Sequence, residues 1–234
     1  MSKALVVLSG GQDSTTCLFW AVKHYDEVHA ITFNYGQKHN REIKSAEQVA
    51  FIAGVESHTI VDVPDILKSR SPLLDKSVTL ETYDNYEEMD AIIGDRVELT
   101  FVPMRNAFFL TLAANYAVAM NCFTLVTGVC QQDNANYPDC REGFINAQID
   151  TINQALGIDN FKIETPLMYL SKAESIKLAQ EVDAMGALAF SHTCYAGEFP
   201  PCGECHACVL RAHGFEEAGV PDPLIERAKH ENNN

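Results

Sequence analysis

"VVLSGGQDST", residues Val6 to Thr15, carries an apolar run into two glycines and then into a polar start that suits a helix. Such a junction has two readings: a tight strand-to-helix turn, or a nest that holds phosphate. Gly10 and Gly11 tolerate positive φ and let an anion approach the backbone with no Cβ in the way. Asp13, Ser14 and Thr15 open a helix whose first amides are unpaired and carry partial positive charge. The loop holds no lysine, so "SGGQDST" is neither G-x-x-x-x-G-K-[ST] nor G-x-G-x-x-G.

The segments around this loop decide the fold class. Lys3 to Leu8 is a valine-rich run that suits a strand buried on both faces. Asp13 to Lys23 reads as a helix capped by Asp13 or Ser14, with Leu18, Phe19 and Val22 as its buried stripe. Val28 to Phe33 is a second strand, Glu42 to Ile52 a helix stopped at Gly54, and Ser57 to Val63 a third strand. This alternation predicts a doubly wound α/β fold with a parallel sheet, in which ligands sit at the carboxyl ends of the strands. Ser9 to Ser14 lies at such an end.

Farther along, Ala107 to Met120 reads as a buried helix, Phe123 to Gly128 as a fourth strand and Glu142 to Leu156 as a helix. Phe161 to Glu164 is a fifth strand, and Lys172 to Val182 a helix with Ser171 and Glu174 as its capping box. "VLRAHGFEEAG" is helical, and the "HENNN" end is expected to fray. Between residues 68 and 98 the periodicity disappears, and the acidic "LETYDNYEEMDAIIGD" is read as a partly ordered flap over the site, with a solvated insertion as the alternative.

Composition narrows the class of function. The chain has 234 residues, 47% hydrophobic and 21% charged, with a formal net charge of −15. That balance repels a phosphate backbone at long range and argues against direct nucleic-acid binding, but not against a nucleotide in a local pocket. No apolar stretch approaches the ~18 residues of a membrane span, and the first apolar run stops at Ser9. A cytoplasmic location with no membrane partner is expected.

Eight cysteines are present. Cys17, Cys122, Cys130 and Cys140 are scattered, whereas Cys194, Cys202, Cys205 and Cys208 fall within "CYAGEFPPCGECHAC". C-x₂-C turns present paired sulfurs to one ion, and four thiolates close a tetrahedral zinc site with no open position. An iron–sulfur cluster and a redox pair are the alternatives, and His192 and His206 are substitute ligands. Zinc in a structural role is the reading adopted.

Three further stretches follow strand ends. "FVPMRN" places Arg105 where a guanidinium would brace phosphate, unless it is an ordinary surface arginine. "GVCQQDNANYPDCREGF" brings Asp133, Tyr137, Asp139, Cys140 and Arg141 to one rim. Its carboxylates would receive the N–H edge of a guanine-like base and its tyrosine would stack on the ring; an Asx turn around Pro138 is the plainer alternative. Cys140 is read as a buried or hydrogen-bonded thiol, not a nucleophile. In "TPLMYLSKAE", Lys172 is read as an ordinary first-turn lysine in preference to a phosphate contact.

The glycine loop resembles the S-G-G-x-D-S loop of the ATP pyrophosphatases (PP-loop enzymes), which cut ATP between the α and β phosphates. With "FNYGQKHNREI", "FVPMRN", "GVCQQDNANYPDCR", "TPLMYLSKAE" and the cysteine tail in this order, the chain resembles the 7-cyano-7-deazaguanine synthase branch of that family. The resemblance implies an adenine nucleotide α-hydrolase-like fold with five strands. It also implies a PP-loop domain over residues 1–190 and a zinc-bound C-terminal segment over 191–230. The implied reaction converts 7-carboxy-7-deazaguanine, ammonia and ATP with Mg²⁺ to the nitrile preQ0, in queuosine-type biosynthesis.

ATP would be held by Leu8, Ser9, Gly10, Gly11, Gln12, Asp13, Ser14, Thr15, Thr16, Cys17 and Leu18, and Ser9, Asp13, Ser14 and Arg105 would serve catalysis. Asp133, Tyr137, Asp139 and Arg141 would bind the substrate, while Cys194, Cys202, Cys205 and Cys208 would hold one Zn²⁺ per subunit of a homodimer. A tRNA-thiolating PP-loop enzyme and a zinc-knuckle interaction module are the competing readings. The chain departs from the family pattern at Asn34, where Asp is usual. It departs again at Met104, where Gly is usual, and at Ala135-Asn136, where Ser-Gly is usual.

Overall fold

The computed structural model describes residues 1–37, 39, 41–132 and 135–232. Five parallel strands form one sheet in the order β3-β2-β1-β4-β5: β1 (Lys3–Val7), β2 (Glu27–Asn34), β3 (Ser57–Asp62), β4 (Thr124–Val126) and β5 (Lys162–Glu164). The chain winds outward from β1 to β3 and then returns to place β4 on the other side of β1. Leu5 pairs with His29 on one flank and with Leu125 on the other. The strand order therefore reverses between β1 and β4, which is where a doubly wound sheet opens its ligand crevice.

Alternate residues of β1 enter different cores, and this explains the unbroken apolar run. Leu5 joins Ile31, Phe33 and Leu125 beneath α4 (Arg105–Ala119) and α5 (Glu142–Leu156), with Phe109, Leu110 and Ile145 completing that layer. Ala4 and Val6 face the other way, onto Leu18 and Ala21 of α1 (Gln12–His24) and Val49 of α2 (Arg41–Ala53). Both faces are covered, as a parallel sheet requires.

The stripe of α1 differs from expectation. Leu18 is buried with Cys17 and Ala21, but Phe19 is only partly covered and Val22 is exposed. Nor does a side chain cap this helix: its N-cap is the extended backbone of Gly11, and Asp13 and Ser14 are engaged elsewhere. The capping box at α6 (Lys172–Glu181) is present as read, with Ser171 and Glu174 bonded reciprocally.

The acidic stretch is not a solvated insertion. Asn85 caps α3 (Tyr86–Ile93), whose Met89 and Ile93 are buried against Val209 and Leu210 of α8 (His206–Ala218). Tyr83 N–H donates to the Glu204 carbonyl at 2.8 Å, and Thr82 forms an isolated bridge with Cys205. Asn233 and Asn234 lie outside the described residues; α9 (Pro223–Asn232) runs through His230 and Glu231, so the start of the "HENNN" end is helical. Arg211 anchors it with a nearly buried fork onto Asp222, at 2.6 and 2.8 Å. A short helix α7 (Met185–Leu188) completes the chain, and no helix of the described residues is long and apolar enough to cross a membrane.

Candidate active site and metal centre

The loop after β1 folds on itself through short side chains. Ser9 Oγ and Ser14 Oγ lie 2.9 Å apart, and the Ser9 and Gly11 N–H groups donate to these hydroxyls at 3.2 and 3.3 Å. Thr15 and Thr16 turn their hydroxyls back onto the Gly11 and Gln12 carbonyls at 2.7 and 3.1 Å, so they stiffen the helix start. Cys17 is buried, its thiol directed at the Thr127 carbonyl at 3.7 Å, and burial raises its pKa well above the usual range. An inert core thiol is the consequence.

Only one of the two glycines uses positive φ. Gly10 does, at +82°, and a Cβ on it would lie 2.3 Å from the Glu42 carbonyl oxygen. Its need is close packing on α2 as much as anion access. Gly11 is extended, at φ −80°. Across the strand-order switch, Gly128 after β4 meets the same loop, since a Cβ there would lie 2.9 Å from the Asp13 carbonyl carbon. The two strand ends thus close around the first turn of α1.

A cleft of about 280 Å³ opens at this junction. Ser9, Gly11, Gln12, Asp13 and Ser14 line it together with Arg105, Tyr137 and His206. Gln12 is buried with no hydrogen-bond partner for its side-chain nitrogen, a donor left for a ligand or water. Lys172, read from sequence as an ordinary first-turn lysine, instead reaches into the cleft and pairs with Asp13 at 3.0 Å. Its partner lies 159 positions away in the chain, which no local pattern reveals.

Arg105 is not a surface arginine. Burial opposes its charge, yet the phenols of Tyr35, Tyr137 and Tyr195 and the Asp139 carboxylate hold its pKa above the ordinary value. The partly buried Glu42 stands nearby; burial pushes its pKa up to about 7, against the pull of Arg105 and with added repulsion from Cys194. Arg105 is therefore a positive charge held inside the cleft.

The "YPDCR" residues divide between the cleft and its support. Tyr137 lines the cleft, stacked on Phe101, with its hydroxyl on Thr100 and 3.3 Å from Glu98 Oε2. Asp139 is buried beneath the rim, where it accepts the Asn106 N–H at 3.4 Å, and burial raises its pKa. Cys140 lines the cleft and receives an Asn106 Nδ2 contact at 3.6 Å, in keeping with a hydrogen-bonded thiol. Arg141 turns back on its own loop, donating to the Gln131 carbonyl at 2.9 Å and to Asn136 Oδ1 at 3.2 Å. Asp133 lies outside the described residues.

The family departures acquire a physical meaning here. Met104 and Asn136, where the resemblance implies glycine, have φ of +65° and +53°. Asn136 offsets its backbone cost with contacts, because Nδ2 donates to the Gly94 and Arg96 carbonyls at 2.8 and 3.1 Å. It thereby ties the acidic stretch to the rim. Met104 is largely exposed and has no such compensation. Asn34 faces the sheet edge, donating to Asp62 at 2.7 Å, where an aspartate would meet a like charge.

The four C-terminal sulfurs converge. Cys194, Cys202, Cys205 and Cys208 lie within 4.8 Å of one another, and Cys202 and Cys208 are 3.9 Å apart. Metal–sulfur bonds of ~2.3 Å in a tetrahedron set sulfurs roughly 3.8 Å apart, so the donor set fits one such ion. Backbone N–H groups of Tyr195, Cys202 and Cys205 point at the sulfurs of Cys205, Cys194 and Cys202 from 3.4 to 3.5 Å. These contacts orient thiolates as an outer shell does. The neighbouring thiols of Cys205 and Cys208 hold Cys194 far down as a thiolate, and their own pKa values rise in return.

The two histidines considered as substitutes are not part of the cluster. His192 bonds the Cys194 carbonyl through Nε2 at 3.1 Å and donates its backbone N–H to the Gly10 carbonyl at 2.8 Å, so it couples metal centre to loop.

The family model described as queuosine biosynthesis protein QueC matches residues 3–219. A 7-cyano-7-deazaguanine synthase of Chromobacterium violaceum is 49% identical over 233 residues, covering 98% of this chain and 95% of that one. The synthase of Laribacter hongkongensis is 49% identical over 226 residues, at 96% and 94% coverage. That of Gloeobacter violaceus is 48% identical over 231 residues, at 96% of both.

Proposed function

The chain belongs to the queuosine biosynthesis QueC family, and from that premise we propose that it is a C–N bond-forming ligase that makes 7-cyano-7-deazaguanine. Its substrates are 7-carboxy-7-deazaguanine, ammonia and ATP with Mg²⁺. The observation that carries this reading is that the Ser9–Ser14 nest, Arg105 and Tyr137 open onto one cleft at the strand-order switch.

In this reading the substrate carboxylate attacks the α-phosphorus of ATP and pyrophosphate departs. Ser9, Gly10, Gly11 and Ser14 hold the leaving group through amides and hydroxyls, which explains why no Walker lysine is needed. Asp13, at the nest mouth, would hold the Mg²⁺ carried in with ATP, which would spread the phosphate charge. Ammonia then displaces AMP from the acyl carbon and gives the amide. A second ATP then transfers AMP to the amide oxygen with release of pyrophosphate, and the C–O bond breaks as AMP leaves with loss of both N–H protons, which gives the nitrile. Arg105 supplies fixed charge stabilisation, and no covalent nucleophile is required.

Tyr137 and Asp139 are the base-side residues, with Arg141 bracing their loop. The Cys₄ cluster holds one structural Zn²⁺, and the segment 191–230 is pinned by it to the 1–190 domain. A cytoplasmic homodimer that does not itself bind nucleic acid completes the proposal. Mass spectrometry of products from the acid, ammonia and MgATP tests it: nitrile with AMP and pyrophosphate is expected, and an amide end product would remove the second step.

A further inference from the structure

His206 opens α8 beside Cys205, yet its ring takes no part in the metal centre. It is 3% exposed and lines the cleft, and neither Nδ1 nor Nε2 has a hydrogen-bond partner in the protein. A neutral imidazole carries one N–H donor and one acceptor. Native structures rarely leave such groups buried and unpaired, so a ring with both unspent is waiting for something in the cleft.

Its charged neighbours are committed elsewhere. Lys172 and Tyr137 line the cleft with the ring, and Glu98 backs Tyr137. Glu98, itself buried, accepts from the Thr100 N–H at 2.6 Å and from the Tyr137 hydroxyl at 3.3 Å. Lys172 holds Asp13 at 3.0 and 3.2 Å. His206 therefore shares one cleft with Lys172, which holds the nest, and with Tyr137, whose hydroxyl Glu98 accepts. In the reaction proposed above, that cleft is where the 7-substituent of the deazaguanine meets the nucleotide.

We propose that His206 is a substrate-contacting residue that hydrogen-bonds the 7-carboxyl group of the deazaguanine, and then the amide that replaces it. The imidazole suits both ligands. Its N–H donates to a carboxylate oxygen or to the amide oxygen, and its bare nitrogen accepts an amide N–H that a carboxylate lacks. The assignment rests on the deazaguanine reading of the site.

The test uses the zinc-loaded protein with His206→Leu, which keeps bulk but no hydrogen bond, and His206→Gln, which restores one. Calorimetric affinity for 7-carboxy-7-deazaguanine is expected to fall about tenfold or more in the Leu variant and to recover largely in the Gln variant. Affinity for ATP and zinc content are expected to stay at wild-type values. Equal affinity of the Leu variant and wild type for the acid overturns the assignment, as does a loss confined to ATP.

A second measurement needs no destabilising change. In ¹⁵N-histidine-labelled wild type, the ring signal assigned by its absence from the Gln variant should shift on adding the acid, and an unmoved signal overturns the proposal. If the wild type converts no acid to nitrile, the functional reading itself falls. Conversion by wild type with an indifferent His206→Leu sinks only the role given to His206.

Discussion

Lys172 Nζ lies 3.0 Å from Asp13 Oδ2, so one ion pair joins the first turn of α6 to the first turn of α1 at the mouth of the nest. The lysine is 10% exposed and the aspartate 26%. The lysine stem lies on Gly214 of α8, where a Cβ would meet its Cγ at 2.4 Å. Loop, capping-box helix and C-terminal helix therefore meet at a single side chain.

Lys172→Met keeps that stem and removes the charge. Loss of a fixed cation beside departing phosphate typically costs about 10²-fold in rate, and a fall of that order in kcat/KM for ATP is expected. Zinc content should be unchanged. ATP kinetics equal to wild type, with only a lowered melting temperature, would make the pair a structural clamp and nothing more.

Met104 gives a prediction of opposite sign. It holds φ of +65° at the N-cap of α4, with no side-chain cap and little cover. A side chain in that region costs roughly 1–2 kcal/mol, and glycine recovers part of this at some entropic expense. Met104→Gly is expected to stabilise the protein by about 1 kcal/mol, a rise of roughly 2–4 °C in melting temperature at this size. Met104→Ala, which keeps the Cβ, should gain nothing. Thermal unfolding of the three proteins decides it.

The sequence made the local features plain and left the long-range pairings dark. The β1 run, the glycine loop, the Ser171–Glu174 box and the C-x₂-C-x₂-C spacing are all written within a few residues, so physics acting over one turn suffices to read them. The roles of Lys172 and Glu98 depend on Asp13 and Tyr137, 159 and 39 positions away. Helix α3 was hidden by its acidic composition, although Met89 and Ile93 stand at i and i+4; its apolar partners Val209 and Leu210 come far later. Arg141 is assigned to substrate by its motif, while its guanidinium braces the Gln131 and Asn136 loop.

Glu42 links stability to pH. Its pKa rises from the ordinary carboxylate value of 4.5 to about 7, chiefly through burial. Between those values the unfolded chain is ionised at this site while the native one keeps its proton, so stability falls as pH rises through the window and levels off above it. Glu42→Gln removes the effect. The melting temperature of the Gln variant should pull ahead of wild type from pH 5.5 to 7.5 and hold a constant lead above pH 8. A lead that stays flat across pH 5.5 to 7.5 would mean that Arg105 offsets burial.

Metal removal should loosen the acidic stretch as well as the knuckle. Thr82 bridges Cys205, Tyr83 donates to Glu204, and the Tyr86 ring stacks on His213 at 3.7 Å, so residues 80–93 are fastened to the segment that carries three of the four sulfurs. Four sulfurs this close stay thiolate together only around a cation, and without one the cluster must reprotonate and spread. Chelation, or Cys205→Ser, is therefore expected to speed amide hydrogen exchange about tenfold or more over Tyr83–Ile93 and the first turns of α8. Exchange in β1 and β2 should change little. Wild-type protein should release one zinc per chain in the same experiment. Unchanged protection at Tyr83–Ile93 after complete metal loss would show that Met89 and Ile93 hold the stretch in place by their packing on Val209 and Leu210 alone.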